Sequence, residues 1–206
     1  MFFVMMMHLI HSFRWNLFLN NNISNFKFIY FGITNVTFMI NSFIPFRIGD
    51  VIKVYLAKKN IETKISKITS TVIIGHYFDF IFLFLFLNIS FLLIKLDLRE
   101  VFQSDTIYYI LLFINLIITL SLLFIKQIKK FIKVILTKIP YLYKLSGLIE
   151  ALNTEITVVT RNLNKLILTL LLTFAYWGCL VLIFKFVSIG IGLDLNLEML
   201  ILAVVL

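Results

Sequence analysis

Long stretches without a single charge limit what this chain can become. Phe28–Phe46, Thr106–Ile125 and Leu166–Phe184 contain no Asp, Glu, Lys or Arg. Each approaches the roughly 20 residues with which a helix crosses the hydrocarbon of a bilayer. With 61% hydrophobic and 14% charged residues, the chain carries more apolar surface than a soluble domain of this size needs. The expected fold class is all-α, a polytopic helical membrane protein whose 206 residues form a single membrane domain.

Spans are expected over Phe2–Leu19, Phe26–Ile44, from near Ser66–Ser70 to Ile94, Thr106–Ile125 and Leu166–Val187, five in all, with a sixth that starts at Leu197 and is cut off. The apolar opening residues have neither a basic leader nor a small-residue cleavage site, which argues against a signal peptide. The opening residues look instead like a span whose beginning is missing, and the last span stops part-way, so a chain truncated at the C-terminus is the expectation, with truncation at the N-terminus open. Arg47–Lys67 and Lys126–Lys165 are basic, whereas Asn20–Asn25, Lys95–Asp105 and Gly190–Glu198 are not. Basic loops collect on the cytoplasmic side. Strict alternation of the spans then puts the N-terminus and both basic segments in the cytoplasm, with the chain in the cytoplasmic membrane. Those loops account for the net charge of +9, and nucleic acid is not an expected partner.

Residues 126–165 form an amphipathic segment on that side. Lys126, Lys129, Lys130 and Lys133 share one helical face, and Ile128, Phe131, Ile132, Ile135 and Ile139 lie opposite. Such a helix lies on anionic headgroups, and Pro140 ends it. A second helix is expected from Leu148 to Leu163, with Leu148, Leu152, Ile156, Val159 and Leu163 on one face. Packing of both helices against the protein itself stays open.

Few residues carry chemistry. Cys179 is the only cysteine, so neither an internal disulfide nor a Cys-based metal site is available. His8 and His11 share a helix face but lack a further ligand nearby, and packing or an interfacial position is expected of them. Neither metal nor cofactor is anticipated. Arg14-Trp15 suits a membrane interface, where Trp and snorkelling Arg are common. Asn35 and Asn41 are expected to hydrogen-bond to neighbouring helices, and Trp177 to pack.

One stretch departs from this pattern, Asn41 to Lys59, NSFIPFRIGDVIKVYLAKK. Pro45 disfavours helix in the residue before it, so the second span should end at Phe43-Ile44. Gly49 lets the backbone turn or pack closely. Beyond it Ile48, Val51, Ile52, Tyr55 and Leu56 form an apolar stripe, with Arg47, Lys53, Lys58 and Lys59 off it. The expectation is a broken or re-entrant helix, which hydrocarbon tolerates only where protein or a watery cavity surrounds it. In the next span His76 and Asp79 are three apart and share a face, with Asp79 roughly 15 Å along the helix from Ser70. An ionisable group at such depth needs a partner. His76, Arg47 and Lys53 are the candidates, and a functional site and a structural ion pair are both open readings.

These residues carry a resemblance. The order of Arg14-Trp15, a span, the Asn41–Lys59 stretch and VIIGHYFDFIFLFLF is similar to the membrane region of lysylphosphatidylglycerol synthases, within a wider group of flippase-like integral membrane proteins. That family shows an N-x-x-x-P-x-R-x-G-[DE]-x-x-[RK] core, matched in spacing by Asn41, Pro45, Arg47, Gly49, Asp50 and Lys53. Asp79 matches the acid of a later E-R-x-x-D motif, where Gly75 and His76 replace the usual Glu and Arg. The family's Pro-Gly-Gly-rich motif lies beyond the span that begins at Leu197 and is not reached.

The resemblance implies movement of a phospholipid or lipid-linked molecule between leaflets, or partnership with a transferase or glycosyltransferase. Lysyl transfer belongs to a separate soluble domain absent here, and whether the chain is itself an enzyme stays open, with a non-enzyme the favoured reading. Arg47, helped by Lys53, would meet an anionic phosphate, and Gly49 would allow close approach. Asp50 and Asp79 would hold the cations or a cationic headgroup, and His76 would make the site pH-sensitive. The alternatives are a membrane subunit of a lipid-modifying aminoacyl or glycosyl transferase, with Asp50, His76 and Asp79 as its acid–base set, and a scaffold without transport.

Overall fold

A computed structural model describes residues 1–20, 26–93, 113, 146–193 and 195–205. Every element among them is helical. In chain order these are α1 (Phe2–Asn20), α2 (Phe28–Phe43), α3 (Ile48–Asn60), α4 (Ile65–Leu93), α5 (Ser146–Arg161), α6 (Leu163–Gly190) and α7 (Leu197–Val205). Two stretches, Ile65–Phe86 of α4 and all of α6, are long and apolar enough to cross a membrane, and α2 is a shorter apolar helix. The expected fourth span, Thr106–Ile125, and the basic helix starting at Lys126 lie outside the described residues, apart from helical Phe113.

Helix α1 occupies the centre, packing most extensively on α6 and also on α2 and α4. Its inward side is mixed in character: Ser12, Arg14 and Asn16 are as buried as Trp15 and Phe18. Trp15 joins Leu19, Tyr30, Ile33, Ala57 and Ile68 in one apolar cluster. Its indole N–H donates to Thr71 Oγ1 at 3.1 Å, which gives the polar end of a buried Trp its partner. The structure therefore removes Arg14-Trp15 from the exposed position expected of an interfacial pair. Side chains facing α2, α3, α4 and α6 enclose both residues.

Helix α5 settles the alternative left open for its segment. Leu152, Ile156 and Val159 pack against a cluster made with Phe18, Ile74 and Phe78, so this amphipathic face is covered by α1 and α4. Asn162 then breaks the chain and caps α6, its side chain accepting from the Lys165 N–H at 3.1 Å.

Burial on this side has a cost at Glu155. One carboxylate oxygen is 3.9 Å from Lys67 Nζ and the other has no hydrogen-bond partner among the described residues. Burial pushes its carboxyl up from the ordinary value, against the pull of Lys67 and Lys165. A folded-state value above the unfolded one means that the folded protein binds more protons, so stability is fullest at acid pH and falls as pH rises through that interval. Glu155→Gln is expected to flatten this part of a melting-temperature profile; an unchanged profile would show that Glu155 does not set it.

Candidate functional site

The interruption after α2 is built by local sequence. Ile44 closes α2 in an extended conformation, its N–H bonded to Ile40 O at 2.8 Å. After Pro45, both Phe46 (φ 66°) and Arg47 (φ 53°) adopt left-handed backbone, which costs a side-chain-bearing residue roughly 1–2 kcal/mol. The double turn sends α3 back along α2, and these two helices pack extensively. Arg47 stands at the N-cap of α3 but offers no side-chain cap. Asn41 from α2 does this work instead, accepting the Gly49 N–H at 2.8 Å. Asp50 in the same first turn complements the positive end of the helix.

Gly49 is fully enclosed. A Cβ added there would overlap the carbonyl oxygen of Thr37 and lie 2.6 Å from Asn41 Oδ1. Only glycine allows α3 this close to α2.

Two arginines approach the break and are used differently. Arg14 is 1% exposed and forms a two-pronged pair with Asp79, Nη1 to Oδ1 at 2.6 Å and Nη2 to Oδ2 at 2.9 Å. Nη1 also donates to Thr173 Oγ1 at 3.0 Å, and the guanidinium lies 5.5 Å from the Tyr176 ring centre. The charge-assisted fork ties α1, α4 and α6 together. Arg47 is exposed, and its guanidinium meets the imidazole of His76, with Nη1 to Nδ1 at 2.8 Å. His76 Nε2 in turn lies 2.9 Å from Asp50 Oδ2.

A cavity of about 270 Å³ opens between these groups. Asn41, Arg47, Asp50, His76 and Asp79 supply its polar wall, while Phe38, Phe80, Leu83 and Trp177 supply the apolar one. The residues singled out on sequence are thus largely brought together. Lys53 is separate, 2% exposed and held over the Trp15 ring at 4.3 Å from its centre. Pro45 shapes the turn and is absent from the cavity wall.

The partner expected for Asp79 is corrected. His76 turns to Arg47 and Asp50, Lys53 to Trp15, and the cation on Asp79 is Arg14, which sequence reading had assigned to the interface. His8 and His11 are engaged in packing, as expected of them. His8 Nδ1 is bonded to Asn35 Oδ1 at 2.7 Å, and both imidazoles pack on Phe38.

The family model described as the lysylphosphatidylglycerol synthase TM region matches residues 1–206, the whole chain. No curated protein and no solved structure matches.

Proposed function

The chain belongs to the lysylphosphatidylglycerol synthase TM region family, and from that premise we propose that it carries an anionic phospholipid or lipid-linked phosphate between leaflets, using the Arg47 cavity as its headgroup site. The observation that supports this reading is the contrast between the two arginines. Arg14 is buried and matched by a carboxylate, whereas Arg47 is exposed at a cavity and rests on an imidazole. A phosphate oxygen is a far better acceptor for a guanidinium than a ring nitrogen, and the planar fork fits it with two parallel bonds. Phe38, Phe80 and Leu83 in the same cavity lining suit the glycerol and upper acyl carbons of a lipid.

In this reading the basic segments face the cytoplasm of a cytoplasmic-membrane protein, and a transferase that makes the lipid is the fitting partner. The two carboxylates tune the cavity: Asp79 is paired with Arg14, and Asp50 is hydrogen-bonded to His76. Reconstituted in vesicles with fluorescent phosphatidylglycerol, the protein is expected to speed exchange between leaflets. Loss of a hydrogen-bonded charge pair is worth about 1.5–3 kcal/mol, so Arg47→Ala should slow exchange by roughly tenfold or more while the protein elutes and melts as before. Exchange at the unaltered rate would take Arg47 out of the headgroup site.

A further inference from the structure

The contacts running from Arg47 through His76 to Asp50 admit one proton arrangement. A guanidinium has donors and no acceptor, so Arg47 Nη1 at 2.8 Å from Nδ1 requires a lone pair on Nδ1. Asp50 Oδ2, an acceptor when ionised, requires the ring proton on Nε2 at 2.9 Å. In the arrangement set by these two shorter contacts His76 is neutral, with its ring proton on Nε2. A second proton has to go to Nδ1, the atom to which Arg47 donates. Protonation breaks the Arg47 contact, turns the Asp50 contact into an ion pair, and frees the guanidinium into the cavity beside an imidazolium.

Charge bookkeeping across the three groups points the same way. Arg47, neutral His76 and ionised Asp50 sum to zero; the imidazolium raises this to plus one; a phosphodiester anion returns it to zero. Charged states are the expensive ones away from bulk water. The empty unprotonated site and the loaded protonated site are both neutral, and each intermediate carries a net charge.

Other charged and titratable groups also face His76. From α1 these are His11 and Arg14, from α3 Lys53, from α6 Tyr176, and Asp79 lies on His76's own helix. Arg14 and Asp79 cancel each other, and Lys53 lies over the Trp15 ring, 4.3 Å from its centre.

We infer that His76 is a proton-binding site coupled to the Arg47 cavity, so that each anionic phosphodiester headgroup bound draws one proton from water onto Nδ1. The inference rests on the reading of that cavity as a phosphate site and supplies a driving force for it, because lipid and proton would move together down a proton gradient.

The test uses the full chain in phosphatidylcholine nanodiscs and fluorescent phosphatidylglycerol, whose charge is constant over the range used. As pH is lowered from about 8 to about 5, affinity is expected to rise by up to about tenfold per unit, the limit for one linked proton. His76→Gln presents an amide oxygen to Arg47 and an amide N–H to Asp50, reproducing the neutral arrangement without a site for the second proton. Its binding should be weak and flat with pH. An indicator dye in weak buffer should record one proton taken up per lipid bound by the unaltered protein, a readout that does not depend on any variant folding. The coupling is overturned by a His76→Gln slope equal to that of the unaltered protein, by binding without proton uptake, or by pH-independent binding. Absence of phosphatidylglycerol binding at every pH, or binding indifferent to Arg47→Ala, strikes instead at the phosphate site itself and takes the coupling with it.

Discussion

Asp79→Ala is expected to abolish most of the folded yield of this protein, and a second substitution at Arg14 is expected to restore it. The side chain removed is, among the described residues, the one carboxylate on a guanidinium that is 1% exposed, and there Arg14 would retain the Thr173 hydroxyl and the face of the Tyr176 ring. Removing one member of a buried pair costs roughly 3–5 kcal/mol because the other is left charged and unmatched. That is a large part of the roughly 5–15 kcal/mol that separates folded from unfolded in most domains. Replacing both members with apolar residues of similar volume removes the charge altogether and is often neutral or stabilising. Arg14→Met with Asp79→Leu should therefore melt far closer to the unaltered protein than Asp79→Ala does. Thermal melting followed by size-exclusion recovery in detergent decides it. Equal melting of Asp79→Ala and the parent would show that the fork does not hold α1, α4 and α6 together.

This pair marks the boundary of what the sequence reveals. The need for a partner at Asp79 was legible, since an acid deep in an apolar helix cannot stand alone. Its identity was not, because the pair joins residues 65 apart in sequence and depends on how α1 turns about its own axis. Arg14 beside Trp15 at the end of an apolar run has the look of an interfacial anchor. The neighbouring Ser12 and Asn16, both fully buried, were a signal that this helix faces protein on its polar side. The break itself was legible because Pro45 acts on the residue next to it. Helix α7 starts at Leu197, where a helix was expected, and the limits of the α2 helix fall within a turn of those expected. The left-handed pair Phe46-Arg47 was not foreseen, since neither residue favours that backbone and only packing of α3 on α2 pays for it. The apolar stripe of α5 could be read off its period, while the surface that covers it could not.

Glycine at position 49 was assigned close approach on its type alone, and the structure turns that into a sharp expectation. Gly49→Ala places a methyl group into the Thr37 carbonyl oxygen and within 2.9 Å of the Asn41 side-chain carbon. The carbonyl belongs to the α2 backbone and cannot swing aside, so either α3 lifts away or Asn41 releases the Gly49 N–H. Overpacking of this kind costs roughly 1–3 kcal/mol, and losing the Asn41 bond leaves a buried N–H unpaired for a further cost of similar size. Gly32→Ala in the same hairpin is the control: nothing lies within 4 Å of its added Cβ, and alanine in a helix interior gains roughly 0.5–1 kcal/mol over glycine. The two variants add the same methyl to neighbouring helices and are expected to shift the melting temperature in opposite directions. Lipid exchange should follow stability in Gly32→Ala but fall further than stability in Gly49→Ala. Arg47 lies only two residues before Gly49, so any lift of α3 moves the guanidinium off the cavity. Should Gly49→Ala melt and exchange lipid as Gly32→Ala does, the tight seating of α3 on α2 would not be what aims Arg47.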